Sequence, residues 1–436
     1  MRLIKEYISN HGGTFRAAVK TMVAPLWKSD FVQKVGETFA TRIMLIGIGL
    51  VTSVLVARIL GPEGRGLYAV AMAVGAIGVQ LGNLGLHASN TYYVARERSL
   101  LPALIGNTLL VSFVVGGSGS VLAWIVFYLR PELAPVHGLL LALSLSWIPF
   151  GLAYLLLQNL LLGIQEVRAY NKIELKYQFL VFVLTGLVIL GGIVSVETVF
   201  VAGFIALVAG FFLALWGLKE HAKDFRLPSL SLFRDNIQYG IKAYLAAFFS
   251  FLVLRIDLLM VKYMLGAEQT GYYSIAVTMA DLVNMLPVVV ATILFPKICA
   301  SESAAEKWIM TKKVTVVTGV ILASFCGLAV IIARPLVRVL YGKPFLPSVP
   351  AFVWLMPGIF FLGVQVIAVQ FLNSVGFPKV VVAVWGCCAF LNVLFNLWAI
   401  PNYGIIGASI VSSISYFMVF ISVVFIIRKN MRFYAA

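Results

Sequence analysis

The sequence predicts an all-α polytopic membrane protein whose twelve transmembrane helices form two six-helix bundles. Of its 436 residues, 61% are hydrophobic and 11% are charged, whereas soluble domains average about 45–50% apolar and about 25% charged residues. Hydrophobic stretches recur along the whole chain, each near the length of about 20 residues that lets a helix cross a bilayer. Glycine and proline punctuate most of the short connections between them. These observations exclude a soluble enzyme, a disordered chain and a secreted disulfide scaffold.

Six hydrophobic segments precede a basic stretch, and six follow it. The first six cover approximately residues 40–60, 66–88, 103–127, 138–162, 174–194 and 196–217. The second six cover approximately residues 241–264, 271–296, 313–333, 347–371, 379–400 and 404–427. The weakest boundary separates the fifth segment from the sixth, where only residues 194–197 intervene. The predicted domains are an N-terminal bundle at 37–218, a linker at 219–240 and a C-terminal bundle at 241–428.

Short basic segments lie outside the two bundles. Residues 1–36 mix Arg16, Lys20 and Lys28 with apolar side chains, a composition that fits an interfacial amphipathic helix or a loosely ordered cytoplasmic tail. Residues 429–436 are predicted to form a second cytoplasmic tail. Because the N-terminal stretch is too polar for the apolar core of a signal peptide, we expect the first membrane helix to act as the insertion signal.

Lysine and arginine orient these segments, because both are enriched in the cytoplasmic loops of membrane proteins. With twelve spans and the N-terminus inside, 25 of the 33 lie on the cytoplasmic side and seven on the outer side. One missed helix would invert every later loop and spoil this bias. We therefore expect a multi-pass protein of the cell (inner) membrane with both termini in the cytoplasm. The net charge of +16 then serves orientation and attraction to anionic lipid, and no nucleic-acid partner is expected.

A short motif occurs twice, after the first span and after the seventh. Residues 60–68 read LGPEGRGLY and residues 265–273 read LGAEQTGYY. At the constant offset of 205 residues, Leu, Gly, Glu, Gly and Tyr coincide. Chance is one explanation, since tight turns between helices favour glycine. A true repeat with an even number of spans per half predicts a pseudo-two-fold axis along the membrane normal, with the substrate site between the halves.

These motifs resemble those of polysaccharide transporters. The resemblance lies in ValAlaArg at 56–58 before the first motif copy, LeuGlyAsnLeuGlyLeu at 81–86, and Arg255-Ile256-Asp257 before the second copy. From about residue 36 to 428, the chain resembles the Wzx-type repeat-unit flippases of the multidrug/oligosaccharidyl-lipid/polysaccharide (MOP) superfamily. The resemblance implies a V-shaped, MATE-like pair of six-helix bundles. It also implies flipping of a polyprenyl-diphosphate-linked oligosaccharide to the outer leaflet by alternating access, with membrane lipids and glycan polymerase machinery as partners.

Three ionisable side chains lie within the predicted spans at similar depth, namely Arg255, Asp257 and Asp281. Each costs at least about 2.5–3.5 kcal/mol at a helix centre, so each is a functional candidate. Arg255 and Asp257 are two residues apart and point to different sides of their helix, so we expect one of them to meet Asp281. One reading is an ion pair that only fixes packing. The other has Arg255 binding the diphosphate while Asp257 or Asp281 takes up H⁺ or Na⁺.

Polar side chains, most of them amides, recur at helical spacing in several spans. The predicted substrate-binding set of this kind is Gln80, Asn83, His87, Asn90, Gln370, Asn373, Asn392 and Asn396. Such faces avoid lipid and point into the bundle or into a wet cavity. Hydrogen bonds between helices explain any single pair equally well, whereas several stripes together favour a hydrated cavity that suits a sugar headgroup. Arg42, near the cytoplasmic end of the first span, is a candidate for headgroup capture or for snorkelling to the interface.

Two other classes compete with a flippase. The first is a cation-coupled multidrug exporter of the same superfamily; such exporters often carry an acid in the first helix, whereas Glu37 falls just before it here. The second is an integral-membrane glycan-modifying enzyme, which needs general acids, bases or metal ligands at an accessible face. The four histidines are scattered and the four cysteines show no metal-ligand spacing. We therefore expect a transporter with no metal or cofactor and, without a GxxxxGK[ST] motif, no direct ATP coupling.

Overall fold

The structure is a computed structural model that describes residues 30–222, 229–301, 303–375 and 379–435. The first half contains α1 (Asp30–Asn83), α2 (Leu86–Arg96), α3 (Leu101–Leu110), α4 (Gly117–Leu129), α5 (Gly138–Gly163), α6 (Val167–Leu190) and α7 (Val196–Lys219). The second half contains α8 (Leu230–Leu265), α9 (Ala267–Cys299), α10 (Ala304–Leu340), α11 (Ser348–Ser374) and α12 (Lys379–Ala435). The regular elements of these residues are all helical, which confirms the predicted fold class. Most of the predicted N-terminal segment, residues 1–29, lies outside the described part.

Two of the helices cross the membrane twice. Among the described residues, ten helical segments are long and apolar enough to span a membrane, and two of these run to 44 and 50 residues. The double-length helices are α1, which breaks at Gly61 (φ +65°), and α12, which breaks at Gly404 (φ +61°). Glycine adopts a positive φ at little steric cost, so the chain reverses direction there. Ten segments therefore provide twelve crossings.

The weak boundary between the fifth and sixth spans is a well-capped helix start. The sixth span, α7, begins after Ser195, whose hydroxyl accepts from the Thr198 amide at 3.1 Å. The Ser195 amide in turn donates to the Thr198 hydroxyl at 2.9 Å. This reciprocal arrangement satisfies two backbone amides that a helix start leaves unpaired. The five residues at 191–195 are therefore enough to separate the two spans.

Two differences from the prediction lie where the two halves meet. Half of the predicted linker is helical, because α8 begins at Leu230 after the Ser229 cap. The predicted span at 66–88 is interrupted, because Leu84 and Gly85 have φ values of +48° and +83°. Both differences bring α8 against α2 at one end of the molecule, where the backbones of Gly85 and Gly240 touch. Contacts between the halves, which hydropathy does not encode, therefore set both boundaries.

Each half packs around one central helix. In the first half, α5 contacts α1, α2 and α7, and in the second half α11 contacts α9, α10 and α12. These two helices carry the most buried of the membrane segments described. Since α5 and α11 occupy matching positions in the order of spans, the halves share one arrangement.

The two copies of the repeated motif pack against each other. We call the end of the molecule with the breaks near Gly61 and Gly266 the far end, and the opposite, lysine- and arginine-rich end the basic end. At the far end, a Cβ at Gly66 would overlap the carbonyl oxygen of Ala267, and one at Gly271 would overlap that of Pro62. The offset of 205 maps Gly66 onto Gly271 and Pro62 onto Ala267. Such a reciprocal contact is what a two-fold axis between the halves requires.

Candidate functional site

An ion pair joins the membrane-spanning parts of two helices in the second half. Nη2 of Arg255 on α8 is 2.9 Å from Oδ2 of Asp281 on α9. At a rise of 1.5 Å per residue, the two positions lie roughly 15 and 21 Å from the far end of their helices. The side chains are 39% and 37% exposed. Charges facing lipid at this depth are costly, so we infer that the pair faces water in a cleft.

Asp257 occupies a different environment, as its spacing from Arg255 predicted. It is 2% exposed, and its Oδ2 accepts hydrogen bonds from the Tyr273 hydroxyl and, at 2.9 Å, from the Ser412 hydroxyl. Its Oδ1 accepts from the Leu258 amide at 2.8 Å. Among the described residues no Lys or Arg forms an ion pair with it. This carboxylate, held by hydroxyl groups between α8, α9 and α12, offers oxygen atoms that could hold H⁺ or Na⁺.

The partners of Asp257 were not singled out by sequence reasoning. Tyr273 is the last residue of the second motif copy and matches Tyr68 in the first copy. This match was the feature of the sequence that could have identified it. Ser412 lies 155 residues from Asp257 in the chain. Its role depends on how α12 packs against α8, which no local pattern states.

The amides of α12 bond to one another inside the second half. Nδ2 of Asn392 donates to the Ser415 hydroxyl at 3.0 Å, and Nδ2 of Asn396 donates to Oδ1 of Asn392 at 3.1 Å. Both asparagines are fully buried. In this conformation they link the two arms of α12 and do not line open space.

The stripe after the second span is divided by the break at Gly85. Oδ1 of Asn83 accepts a hydrogen bond from the His87 backbone N–H at 3.2 Å and so bonds the start of α2. The His87 ring contacts the side-chain amide of Asn83. Asn90 is 2% exposed; its Nδ2 donates to the Thr108 hydroxyl and its Oδ1 accepts from Asn236, both at 3.1 Å. Asn90 therefore joins the two halves at the basic end. Gln80, in contrast, is only half-buried.

The remaining predicted residues keep part of their surface exposed. Gln370 and Asn373 are half-buried, and Asn373 Nδ2 donates to Gln370 Oε1 at 3.2 Å. Arg42 is exposed, donates to the Tyr170 hydroxyl at 3.1 Å and lies over its ring. It sits roughly 27 Å from the far end of its helical arm, close to the basic end. Arg42 and the Arg255–Asp281 pair therefore lie at different depths.

A carboxylate of the first half was also missed. Glu174 Oε2 accepts from the Tyr154 hydroxyl at 2.8 Å and from Gln158 Nε2 at 3.5 Å. The sequence prediction started the fifth span at this residue, whereas α6 starts seven residues earlier at Val167. Glu174 therefore lies inside the helix and not at its edge.

Replacing Asn90 with alanine is expected to destabilise the protein. The substitution removes hydrogen bonds to Thr108 and Asn236 and leaves the buried Asn236 amide unpaired, at a cost of about 1–3 kcal/mol. Thermal unfolding of the purified protein in detergent measures this as a lower midpoint. The control is Asn402→Ala, since Asn402 is exposed and donates only to a carbonyl of its own helix. Equal midpoints for the two variants would contradict a structural role for Asn90.

Comparison with known proteins places this chain in a family. The family described as "Polysaccharide biosynthesis protein" matches residues 31–302, more than half of the chain. An uncharacterized membrane protein of Methanocaldococcus jannaschii, MJ1068, is 23% identical over 239 residues, which cover 54% of this chain and 47% of the relative. The probable low-salt glycan biosynthesis flippase Agl15 of Haloferax volcanii is 20% identical over 216 residues, covering 48% and 46%. The chain thus spans about half the length of the curated relatives it matches.

Two solved structures are similar over nearly the whole chain. One is an inward-facing MATE-family multidrug resistance transporter of the MOP superfamily, with a TM-score of 0.70, 14% identity, and coverage of 92% of this chain and 99% of the transporter. The other is the lipid II flippase MurJ in an inward closed conformation, with a TM-score of 0.70, 15% identity, and coverage of 91% and 87%. At such identities the likeness shows the fold. The resemblance noted in the sequence is confirmed: this chain belongs to the polysaccharide biosynthesis protein family and has the fold of the MOP-superfamily transporters.

Proposed function

We propose that this protein flips polyprenyl-diphosphate-linked oligosaccharide repeat units from the cytoplasmic to the outer leaflet of the cell membrane. The observation that carries the proposal is the half-exposed Arg255–Asp281 pair at mid-depth, because it indicates a wet path for a polar headgroup. Family membership and the relative named as a probable glycan flippase support this substrate class. In this proposal the basic end faces the cytoplasm, and glycan polymerase machinery is a partner.

Arg255 is the proposed ligand of the diphosphate. A guanidinium has five N–H donors in a planar fork that matches phosphate oxygens, and one of its nitrogens bonds Asp281 in this structure. The remaining donors are free to engage the diphosphate. The diphosphate and the Asp281 carboxylate are both anions and can exchange as partners of this guanidinium.

The two halves supply the moving parts. Their reciprocal glycine contact joins them at the far end, and the Gly85–Gly240 and Asn90–Asn236 contacts join them at the basic end. Opening of the basic end admits the headgroup while its prenyl chain stays in the lipid. Renewed contact at the basic end, with separation of the Gly66 and Gly271 contacts at the far end, then releases the headgroup outside. The binding free energies of substrate and ion must differ between these two states to drive the cycle.

Asp257 is the proposed coupling residue. Asp281 already has a cationic partner, whereas Asp257 is bonded by hydroxyl groups alone apart from the adjacent backbone amide. A proton or Na⁺ at Asp257 would neutralise a buried carboxylate at the junction of α8, α9 and α12. Charge at this junction therefore biases how the helices of the second half pack.

Asp257→Asn is expected to abolish stimulation of transport by an H⁺ or Na⁺ gradient while leaving headgroup binding within about two-fold of wild type. Asparagine keeps a carbonyl oxygen for Tyr273 or Ser412 but carries no charge. Gradient-driven uptake in proteoliposomes and substrate binding in detergent measure the two quantities. Asp235→Asn, an exposed acid on the same helix, is the matched control. A variant that still responds to both gradients as wild type does would exclude Asp257 from coupling.

Depletion of the protein in its native host tests the function itself. Lipid-linked repeat units are expected to accumulate in the inner leaflet and surface glycan to fall, with both effects reversed by an added wild-type copy. In a strain without other family members, unchanged surface glycan would contradict the proposal. Unchanged glycan with increased sensitivity to cationic drugs would instead favour the multidrug exporter.

A further inference from the structure

A cavity of about 180 Å³ lies within the first half, partly open and lined by residues of α1, α5, α6 and α7. Its lining comes entirely from that half, so the cavity is separate from the Arg255–Asp281 pair. The polar side chains that line it are Thr52, Ser53, Arg65, Tyr68, Tyr177 and Gln178. The lining includes one charged residue, Arg65, and no Asp or Glu. The cavity therefore presents a net positive charge.

Arg65 is a buried cation without an anionic partner. Arg65 is 8% exposed. Its Nη2 donates to the neutral Thr278 hydroxyl at 3.3 Å. The guanidinium lies over the Tyr68 ring, 5.7 Å from its centroid. Its Nε is buried with no hydrogen-bond acceptor, and no carboxylate of the described chain forms an ion pair with it. A buried charge of this kind is strongly disfavoured unless something neutralises it.

We propose that this cavity is a binding site for a small inorganic anion, with Arg65 as its cationic ligand. The guanidinium supplies charge, and the tyrosine hydroxyls and the Gln178 amide supply neutral N–H and O–H donors that an anion can use. Pockets for drug-sized ligands measure about 300–1,000 Å³. A cavity of 180 Å³ therefore suits chloride or a phosphate-sized oxyanion and excludes an oligosaccharide.

The position of the site connects it to the contact between the halves. Arg65 precedes Gly66, which touches Ala267, and its guanidinium bonds Thr278 on α9. An anion that holds the guanidinium in place also holds this bond across the two halves. Occupancy is therefore expected to favour the conformation in which the far end is closed. This inference is independent of the proposed substrate, since it rests on the burial and contacts of Arg65.

The test measures thermal unfolding of the purified full chain in detergent, at constant ionic strength, as gluconate is replaced by chloride or by phosphate. A ligand that binds the folded state raises the midpoint with its concentration. We expect a saturable rise for wild type in at least one of the two anions, no rise for Arg65→Gln, and a partial rise for Arg65→Lys. Arg58→Gln is the matched control, because the exposed Arg58 donates to the Val339 and Leu340 carbonyls and lies outside the cavity. It should respond as wild type does.

Two measurements that do not need an Arg65 variant test the proposal if Arg65→Gln does not fold. Trp147 lines the same cavity, so iodide should quench its fluorescence in competition with chloride, and Trp147→Phe should remove that component. A crystal grown in bromide should show anomalous density in contact with Arg65. Equal midpoints for wild type in all the anions, or equal responses of wild type and Arg65→Gln, would overturn the proposal. Stabilisation by polyprenyl diphosphate alone, through Arg65, would assign the site to the transported lipid and overturn the inorganic anion.

Discussion

Arg255→Ala is expected to abolish complementation of a strain that lacks this protein, while Arg255→Lys retains part of it. Each charge-assisted hydrogen bond contributes about 1.5–3 kcal/mol, so the loss of one bond to the diphosphate lowers transport roughly 10- to 150-fold. Lysine keeps the positive charge but not the planar fork of donors, and so binds phosphate as a point charge. Arg338→Ala, an exposed arginine at the far end of α10, should behave as wild type.

A double substitution separates transport from packing at this pair. Arg255→Leu with Asp281→Leu removes both charges but keeps side chains of substantial volume in contact. If the pair only fixes the packing of α8 on α9, the double variant keeps its activity, because apolar residues replace many buried ion pairs without loss of stability. We expect it to fold and to be inactive. Full activity of the double variant, or of both Arg255→Ala and Arg255→Lys, would remove Arg255 from the mechanism.

Gly66→Ala and Gly271→Ala are expected to have the largest structural effects of single methyl groups in this protein. Each added Cβ would overlap a backbone carbonyl oxygen of the opposite half, which cannot move aside as a flexible side chain can. Overpacking costs about 1–3 kcal/mol where neighbours can adjust, so we expect at least this loss at each position. The simplest relief is separation of the halves at the far end.

The measurements are the thermal midpoint and labelling of a cysteine introduced at Thr278 in a background without native cysteines. Both glycine variants should lower the midpoint and increase labelling by an impermeant reagent from the far side. Gly327→Ala is the control, since nothing lies within 4 Å of a Cβ at that position and alanine favours the helix. If all three variants match wild type, the reciprocal contact does not hold the halves together.

Most of the fold followed from hydrophobic length and the distribution of lysine and arginine. The predicted fourth span at 138–162 corresponds to α5, Gly138–Gly163, because the flanking turns are polar or contain proline. The helix starts that hydropathy did not locate, at Val167 and Leu230, depend on partners instead. α8 begins at Leu230 after the Ser229 cap, and its Asn236 bonds Asn90 in the other half. A hydropathy pattern reports burial in lipid and not burial against a particular helix.

The candidate site was only partly predictable. The spacing of Arg255 and Asp257 gave their opposite environments, since helix geometry is local. It did not specify which of them meets Asp281, because that depends on the rotation of α9 against α8. Arg65 counts in the sequence only as one more basic residue near an outer loop. Its burial arises where the second arm of α1 packs against α9, and a local pattern carries no signal for that contact.

Translocation by the purified protein tests the central claim most directly. Proteoliposomes containing only this protein and labelled polyprenyl-diphosphate oligosaccharide are supplied with an H⁺ or Na⁺ gradient, and an external enzyme reports which headgroups it can reach. Vesicles with wild-type protein should move headgroups between leaflets far faster than protein-free vesicles or vesicles with a folded Arg255→Ala variant. If wild-type and protein-free vesicles show the same distribution of headgroups over time, under both gradients, the flippase account is wrong.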